Sequence, residues 1–291
     1  MLLKELISAG HNAIGGIYPE GESREIVFAL LEELLGTKRH THIVDPAYSI
    51  CDGDAQRVMD AFARLSAGEP LQYVTGKAYF HGREYHVCPS VLIPRPETEL
   101  LCRMAIDENG SRSDIRILDM CTGSGCIAWT MALECPGAAV TAVDLSDGAL
   151  DVASSQDFGD EMKVSGAVPP CFIKADVLDD EFSNRFSHTF DIILSNPPYV
   201  MEAEKSLMRP NVLDHEPSMA LFVPDDDPLI FYRAVARTAS LLLSEDGFGI
   251  VEINEALGNE TSSLFTAAGF PTAKVIQDLS GRDRFVLFKR S

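Results

Sequence analysis

The chain has 291 residues, 46% hydrophobic and 23% charged, a balance that fits one large globular domain or two unequal ones, and no apolar run approaches the roughly 18 residues needed to span a bilayer. Its formal net charge is −20, from 24 basic and 44 acidic side chains. That field opposes a grip on nucleic-acid backbone, where affinity comes from phosphate neutralisation, and suits a basic protein partner.

The seven cysteines include no Cys-x-x-Cys pair, and His40 and His42 have no Cys beside them. The thiols are therefore expected to be reduced, and no metal site is expected. The N-terminus carries an acid early and lacks the apolar core of a signal peptide, so a cytoplasmic location is expected.

Residues 1–77 read as a small helical domain. Val27, Leu30, Leu31, Leu34 and Leu35 fall at helical spacing before Gly36. Val58, Met59, Phe62 and Leu65 do so again before Gly68 and Pro70. Residues 78–90 read as a linking β-hairpin, Tyr79-Phe80 and Tyr85-His86-Val87 around His81-Gly82-Arg83. Pro96 with Glu97 and Glu99 marks the start of a helix.

Residues 91–291 then alternate strand and helix. Strands are expected at 115–119, 139–144, 190–195, 249–253 and 284–288, with a helix running to about Glu134. The pattern implies an α/β fold with a mostly parallel sheet and helices on both faces.

Asp119-Met120-Cys121-Thr122-Gly123-Ser124-Gly125 follows a buried strand and opens a helix. A turn so tight needs glycine where φ is positive and where a ligand meets the backbone. Asp144 ends the next strand 21 residues beyond Gly123, where an acid can accept from ribose hydroxyls. Asp176, after Cys171-Phe172-Ile173, can accept from an adenine amino group. Taken singly, Asp144 also reads as a capping acid and Asp176 as a turn residue. Together the features point to a nucleoside cofactor without choosing between a dinucleotide and S-adenosylmethionine.

Ser195-Asn196-Pro197-Pro198-Tyr199 follows the strand Ile192-Ile193-Leu194. Its two prolines remove two donors and fix φ, giving a stiff loop at a strand's carboxyl end. Such a loop suits methyl transfer to a flat, weakly nucleophilic nitrogen. The Asn196 carbonyl and the Pro197 backbone carbonyl would each accept one N–H, and Tyr199 would pack over the acceptor. No strong base is needed, because the proton can leave after the methyl arrives.

These residues carry a resemblance. Gly68-Glu69-Pro70-Leu71-Gln72-Tyr73-Val74-Thr75-Gly76, Ile93-Pro94-Arg95-Pro96-Glu97-Thr98-Glu99, the Asp119–Gly125 turn, Asn196-Pro197-Pro198-Tyr199, His215-Glu216-Pro217 and Gly281-Arg282-Asp283-Arg284-Phe285 resemble the HemK-type release-factor glutamine methyltransferases, the PrmC family, along nearly the whole chain. The resemblance implies a class I S-adenosylmethionine-dependent methyltransferase, with a Rossmann-like, mostly parallel seven-stranded sheet and a small N-terminal helical domain. It implies methylation of the side-chain amide of the glutamine in the Gly-Gly-Gln motif of bacterial class I peptide chain release factors, with S-adenosylhomocysteine as product.

The implied cofactor residues are Cys121, Thr122, Gly123, Ser124, Gly125, Asp144, Asp176 and Asn196. The implied catalytic residues are Asn196, Pro197 and Tyr199, and Pro198 joins them in binding substrate. Residues 1–77 and the hairpin would help grip the factor. Cys121 stands where many members have glycine, which matters little if its φ is negative. Asn254 stands where glycine is more usual, and the sequence gives it no role. An adenine-N methyltransferase acting on DNA or RNA would use the same Asn-Pro-Pro-Tyr chemistry, but it must flip its base and hold phosphates. The charge of −20 speaks against that alternative.

Overall fold

The computed structural model describes all 291 residues. They form two compact units, Met1–Lys77 with Met208–His215, and Ala78–Leu207 with Glu216–Ser291.

The first unit is helical: α1 (Leu3–Ile14), α2 (Glu20–Leu35), α3 (Thr41–Val44), α4 (Asp52–Ser66) and α5 (Leu71–Thr75). Leu6, Ile14, Val27, Leu30, Val58, Phe62 and Leu65 interlock in its core. Gly36 ends α2 in the left-handed region with φ 65°, as a helix stop there requires. Gly68 also has a positive φ, 88°. The segment after it is closed by Arg64, whose guanidinium donates to the Glu69 carboxylate and to the carbonyls of Tyr73 and Val74. Much of the Gly68–Gly76 motif is thus a folded turn around one arginine.

The second unit opens on the expected hairpin, β1 (Lys77–Phe80) and β2 (Arg83–His86). Residues 78–90 lie wholly within this unit. Tyr85 is fully buried and its hydroxyl reaches Thr130, while Arg83 pairs with Glu134 and Glu161. The remaining elements follow in order. They are α6 (Pro96–Asn109), β3 (Arg116–Met120), α7 (Cys126–Glu134), β4 (Ala139–Asp144), α8 (Asp147–Ser155), α9 (Gly159–Ser165), β5 (Cys171–Lys174), β6 (Phe190–Ser195), β7 (Val200–Met201), α10 (Pro210–His215, in the first unit), β8 (Phe222–Val223), α11 (Ile230–Leu242), β9 (Leu243–Glu252), α12 (Gly258–Ala267), β10 (Thr272–Gln277) and β11 (Asp283–Lys289).

Seven of these strands form one sheet in the order β10-β11-β9-β6-β3-β4-β5. β9, β6, β3, β4 and β5 are parallel, and β11 is antiparallel to both its neighbours. One apolar layer packs α6, α7 and the hairpin on the sheet, and a second packs α11 and α12. This is the class I methyltransferase architecture. β3 leads outward to β4 and β5, and the chain then returns to place β6 on β3's other side. The carboxyl ends of β3, β4 and β6 therefore flank a topological switch point, where open sheets bind ligands. β5 and β10, the two edge strands of this sheet, were not foreseen, since strands without one fully buried position carry little apolar signal.

Gly249 sits in β9 between β6 and β11. A Cβ there would lie 2.1 Å from the Phe288 ring and 2.7 Å from the Ile193 carbonyl oxygen. Gly249→Ala is expected to destabilise the fold by about 1–3 kcal/mol through overpacking, read as a lower urea midpoint with an unchanged slope. An unchanged midpoint would mean that both the Phe288 ring and the β6 backbone at Ile193 give way freely.

Candidate active site

The glycine turn runs from β3 into α7. Thr122 N–H donates to the Val143 carbonyl, and Gly125 N–H to the Thr122 carbonyl. Gly123 has φ 55°, and a Cβ there would meet nothing within 4 Å. Gly125 has φ 79°, and its Cβ would press on Ala153 at 3.0 Å and Trp129 at 3.1 Å. The two glycines therefore do different work. Gly123 leaves an approach open, while Gly125 lets α8 pack against the start of α7.

Cys121 has φ +63°, so the condition under which its departure from glycine would matter little is not met. The first position of the turn needs the left-handed conformation, which costs a non-glycine residue on the order of 1 kcal/mol. Burial pushes the Cys121 thiol well above its ordinary value, so it stays protonated.

A cavity of about 480 Å³ opens above this turn, at the switch point. Cys121, Thr122, Gly123, Ser124, Asp144, Asp176 and Asn196 line it, as does Pro198; Gly125, Pro197 and Tyr199 do not. Sequence reading missed other lining residues, among them Thr98, Leu145, Val177, Leu178 and Phe231. Its charged lining is two carboxylates, Asp144 and Asp176, and one guanidinium, Arg95. Arg95 is itself paired with Glu216 at 2.6 Å.

Asp144 takes the Gly123 N–H and the Ser146 N–H at 2.9 Å each. Asp176 takes the Leu178 N–H at 2.9 Å. Each acid thus serves the backbone as a cap or turn residue and also faces the cavity. Burial raises the Asp144 carboxyl despite those N–H donors. Beneath the turn, Asp119 is fully buried and pushed up to about 7 by burial, with the Thr122 hydroxyl donating to one of its oxygens.

Asn196 ends the line from β6. Its Nδ2 donates to Thr98 Oγ1 at 2.9 Å, and Thr98 donates to Glu252 Oε2 at 2.7 Å. Tyr199 does not lie over the cavity. Its hydroxyl donates to Glu252 Oε1 at 3.0 Å, and its ring packs on the apolar layer around α11. Burial and the Glu252 charge hold this phenol well above its ordinary value. Asn254 has a place here too: its amide donates to the Tyr199 carbonyl at 3.1 Å and to Glu204 at 2.8 Å, clamping the loop from behind. Glu216 accepts from the Ile93 N–H at 3.1 Å and from Arg95, tying the Ile93–Glu99 segment down.

A model of the PrmC N-terminal domain matches residues 6–76, and a model of the methyltransferase small domain matches residues 97–213. A release factor glutamine methyltransferase of Flavobacterium psychrophilum is 36% identical over 289 residues, covering 98% of each chain. The chain belongs to the release factor glutamine methyltransferase family. A Bacteroides thetaiotaomicron member is 37% identical over 94% of this chain and 95% of its own. A solved structure of a release-factor-specific protein-(glutamine-N5) methyltransferase from Alicyclobacillus acidocaldarius is 29% identical, covers 71% of this chain and all of that one, and has a TM-score of 0.42. Membership of that family makes the chain a methyltransferase, and so an enzyme.

Glu252 is 1% exposed. Burial raises its carboxyl from 4.5 to about 6, against the pull of the Thr98 and Tyr199 hydrogen bonds and the Arg284 charge, with Glu97 adding a small push upward. The folded chain therefore holds this proton more tightly than the unfolded chain does. Stability from this group is full below about pH 4.5 and is lost as pH rises through about 6. Keeping the carboxylate charged at pH 8 costs on the order of 2 kcal/mol. Glu252→Gln is expected to exceed the native chain in stability at pH 8 by up to about that amount, the gap closing towards pH 4.5 in urea unfolding. A gap that stays constant from pH 4.5 to 8 would remove Glu252 as its source.

Proposed function

We propose that this chain transfers a methyl group from S-adenosylmethionine to the side-chain amide nitrogen of the glutamine in the Gly-Gly-Gln motif of bacterial class I release factors, leaving S-adenosylhomocysteine. The observation that carries the reading is family membership over nearly the full length, joined to an Asn-Pro-Pro-Tyr loop that brings Asn196 to the cavity.

The lining fits the donor. S-adenosylmethionine supplies an electrophilic methyl on a positively charged sulfur. Two carboxylates, with the single guanidinium already paired, favour a cation and disfavour a pyrophosphate. The open backbone at Gly123 admits close approach, and Asp144 is assigned to the ribose hydroxyls, Asp176 to the adenine end. Cys121, Thr122, Ser124 and Gly125 complete the cofactor turn. Leu145, Val177, Leu178 and Phe231 give the cavity apolar walls.

Asn196 Oδ1 and the Pro197 carbonyl each take one N–H of the acceptor amide. That pins a flat, weakly nucleophilic nitrogen with its lone pair aimed at the methyl. Positioning of this kind falls within the roughly 7–11 kcal/mol that oriented reactants can gain. The surplus proton leaves to water after transfer. Glu252 is not the base, because it is buried behind Thr98 and Tyr199 and does not line the cavity. Pro198 stiffens the loop, and Tyr199 anchors it.

Residues 1–77 form the release-factor-binding domain in this reading, 78–90 the linking hairpin and 91–291 the catalytic domain. No helix is long and apolar enough to cross a membrane, and the cytoplasm, where translation ends, is the assigned location. No sequence-specific nucleic-acid contact is needed.

Mass spectrometry of a release factor incubated with the chain and S-adenosylmethionine is expected to show one added methyl on the Gly-Gly-Gln peptide. Asn196→Ala should slow that single turnover about 10²–10³-fold, the scale of one lost preorganised hydrogen bond, while Tyr199→Phe should be much milder. Methylation of an adenine base instead of the factor would overturn the reading. A chain beginning at Ala78, which keeps Tyr85 in its core, should bind cofactor and lose methylation of the intact factor. Full activity in that shortened chain would show that the helical domain does not grip the substrate.

A further inference from the structure

The hydrogen-bond chain behind Asn196 has a direction, and the direction follows from counting protons. An ionised Glu252 offers only acceptors. Thr98 owns one hydroxyl proton, and at 2.7 Å from Glu252 Oε2 that proton is committed to the carboxylate. Towards Asn196, 2.9 Å away, the same hydroxyl has only lone pairs to give. The group facing it must donate, so the amide presents its NH₂ end to Thr98 and its carbonyl end the other way. Tyr199 donates to the second carboxylate oxygen at 3.0 Å and reinforces the charge.

The two ends of a carboxamide have nearly the same shape, so packing alone does not choose between them. The choice is made here by the charge on Glu252, two residues back along the hydrogen bonds, which commits the Thr98 proton. Thr98 stands on α6 and Glu252 on β9, 154 positions apart, and neither belongs to the loop that they orient.

We propose that Thr98 and Glu252 are positioning residues that lock the Asn196 carboxamide with its oxygen towards the acceptor nitrogen. The inference rests on the reading in which Asn196 accepts the substrate N–H. A flipped amide would set an N–H donor against an N–H donor and lose the acceptor altogether.

The test is a double-mutant cycle read by single-turnover methylation of a release factor, at saturating cofactor and factor. Thr98→Val keeps the shape and removes the proton and the lone pairs. It should slow transfer about tenfold, and Thr98→Ser should return the rate to within about threefold of the native chain. In an Asn196→Ala background Thr98→Val should cost nothing further, because no amide remains to be turned. Equal slowing in both backgrounds would overturn the inference, since Thr98 would then act on the ligands or the fold directly. An unslowed Thr98→Val would overturn it as well. Thr98→Ala serves the same cycle if the valine variant does not fold. A native chain that leaves the glutamine unmethylated would bring down the functional reading along with the inference, whereas an additive cycle on an active enzyme brings down the inference alone.

Discussion

Glu252 holds a carboxylate in the interior of the α/β unit, and the site is arranged around that charge. It closes β9, next to the strand that carries the Asn-Pro-Pro-Tyr loop. Its two oxygens take the hydroxyls of Thr98 on α6 and Tyr199 on the loop. One residue thus joins a helix, a strand end and the loop, and gives every hydrogen bond among them a sense. A buried charge with imperfect pairing is costly, and here the cost is on the order of 2 kcal/mol. Against a usual total of roughly 5–15 kcal/mol that is a substantial expense in stability. A neutral side chain would make the fold stronger and leave the amide without a fixed orientation.

Other strains gather at the same place. Cys121 and Gly123 both hold positive φ in the first half of the turn, and Asp119 beneath them is buried with its carboxyl raised to about 7. Left-handed backbone at Cys121 adds a cost on the order of 1 kcal/mol. The rest of the unit compensates with two apolar layers on a seven-stranded sheet, so a few unfavourable groups are tolerated at the switch point.

Much of this was legible in the sequence, because periodicity and turn chemistry are local. The hairpin, α6 with Pro96 at its start and the parallel strands β3, β4 and β6 stand where their residues place them. Strand-end acids, the glycine turn and the double-proline loop marked Asp144, Asp176, Thr122, Ser124 and Asn196 in the cavity's polar lining, but not Ser90, Thr98 or Ser146. What stayed hidden depends on contacts across long separations. Thr98 and Glu252 lie far apart in the chain, and neither carries a local signal that it will meet the other. Asn254 looked like a departure from glycine; its amide clamps the Tyr199 carbonyl, a role that only the fold reveals. Tyr199 itself was expected above the acceptor, yet its hydroxyl turns inward to the carboxylate. Sequence spacing gave its position on the loop but not the direction of its side chain. The backbone at Cys121 stayed hidden for a related reason, since a residue type alone does not fix the sign of φ.

The ionisation of Glu252 is the quantity on which the orientation of Asn196 turns. Infrared difference spectroscopy between the native chain and Glu252→Gln, followed through a pH titration, reads that state directly. An ionised carboxylate at pH 8 that takes up its proton near pH 6 is the predicted result. A carboxylic acid still protonated at pH 8 would contradict the account, because Thr98 would then be free to donate to Asn196 and the amide would have no fixed sense.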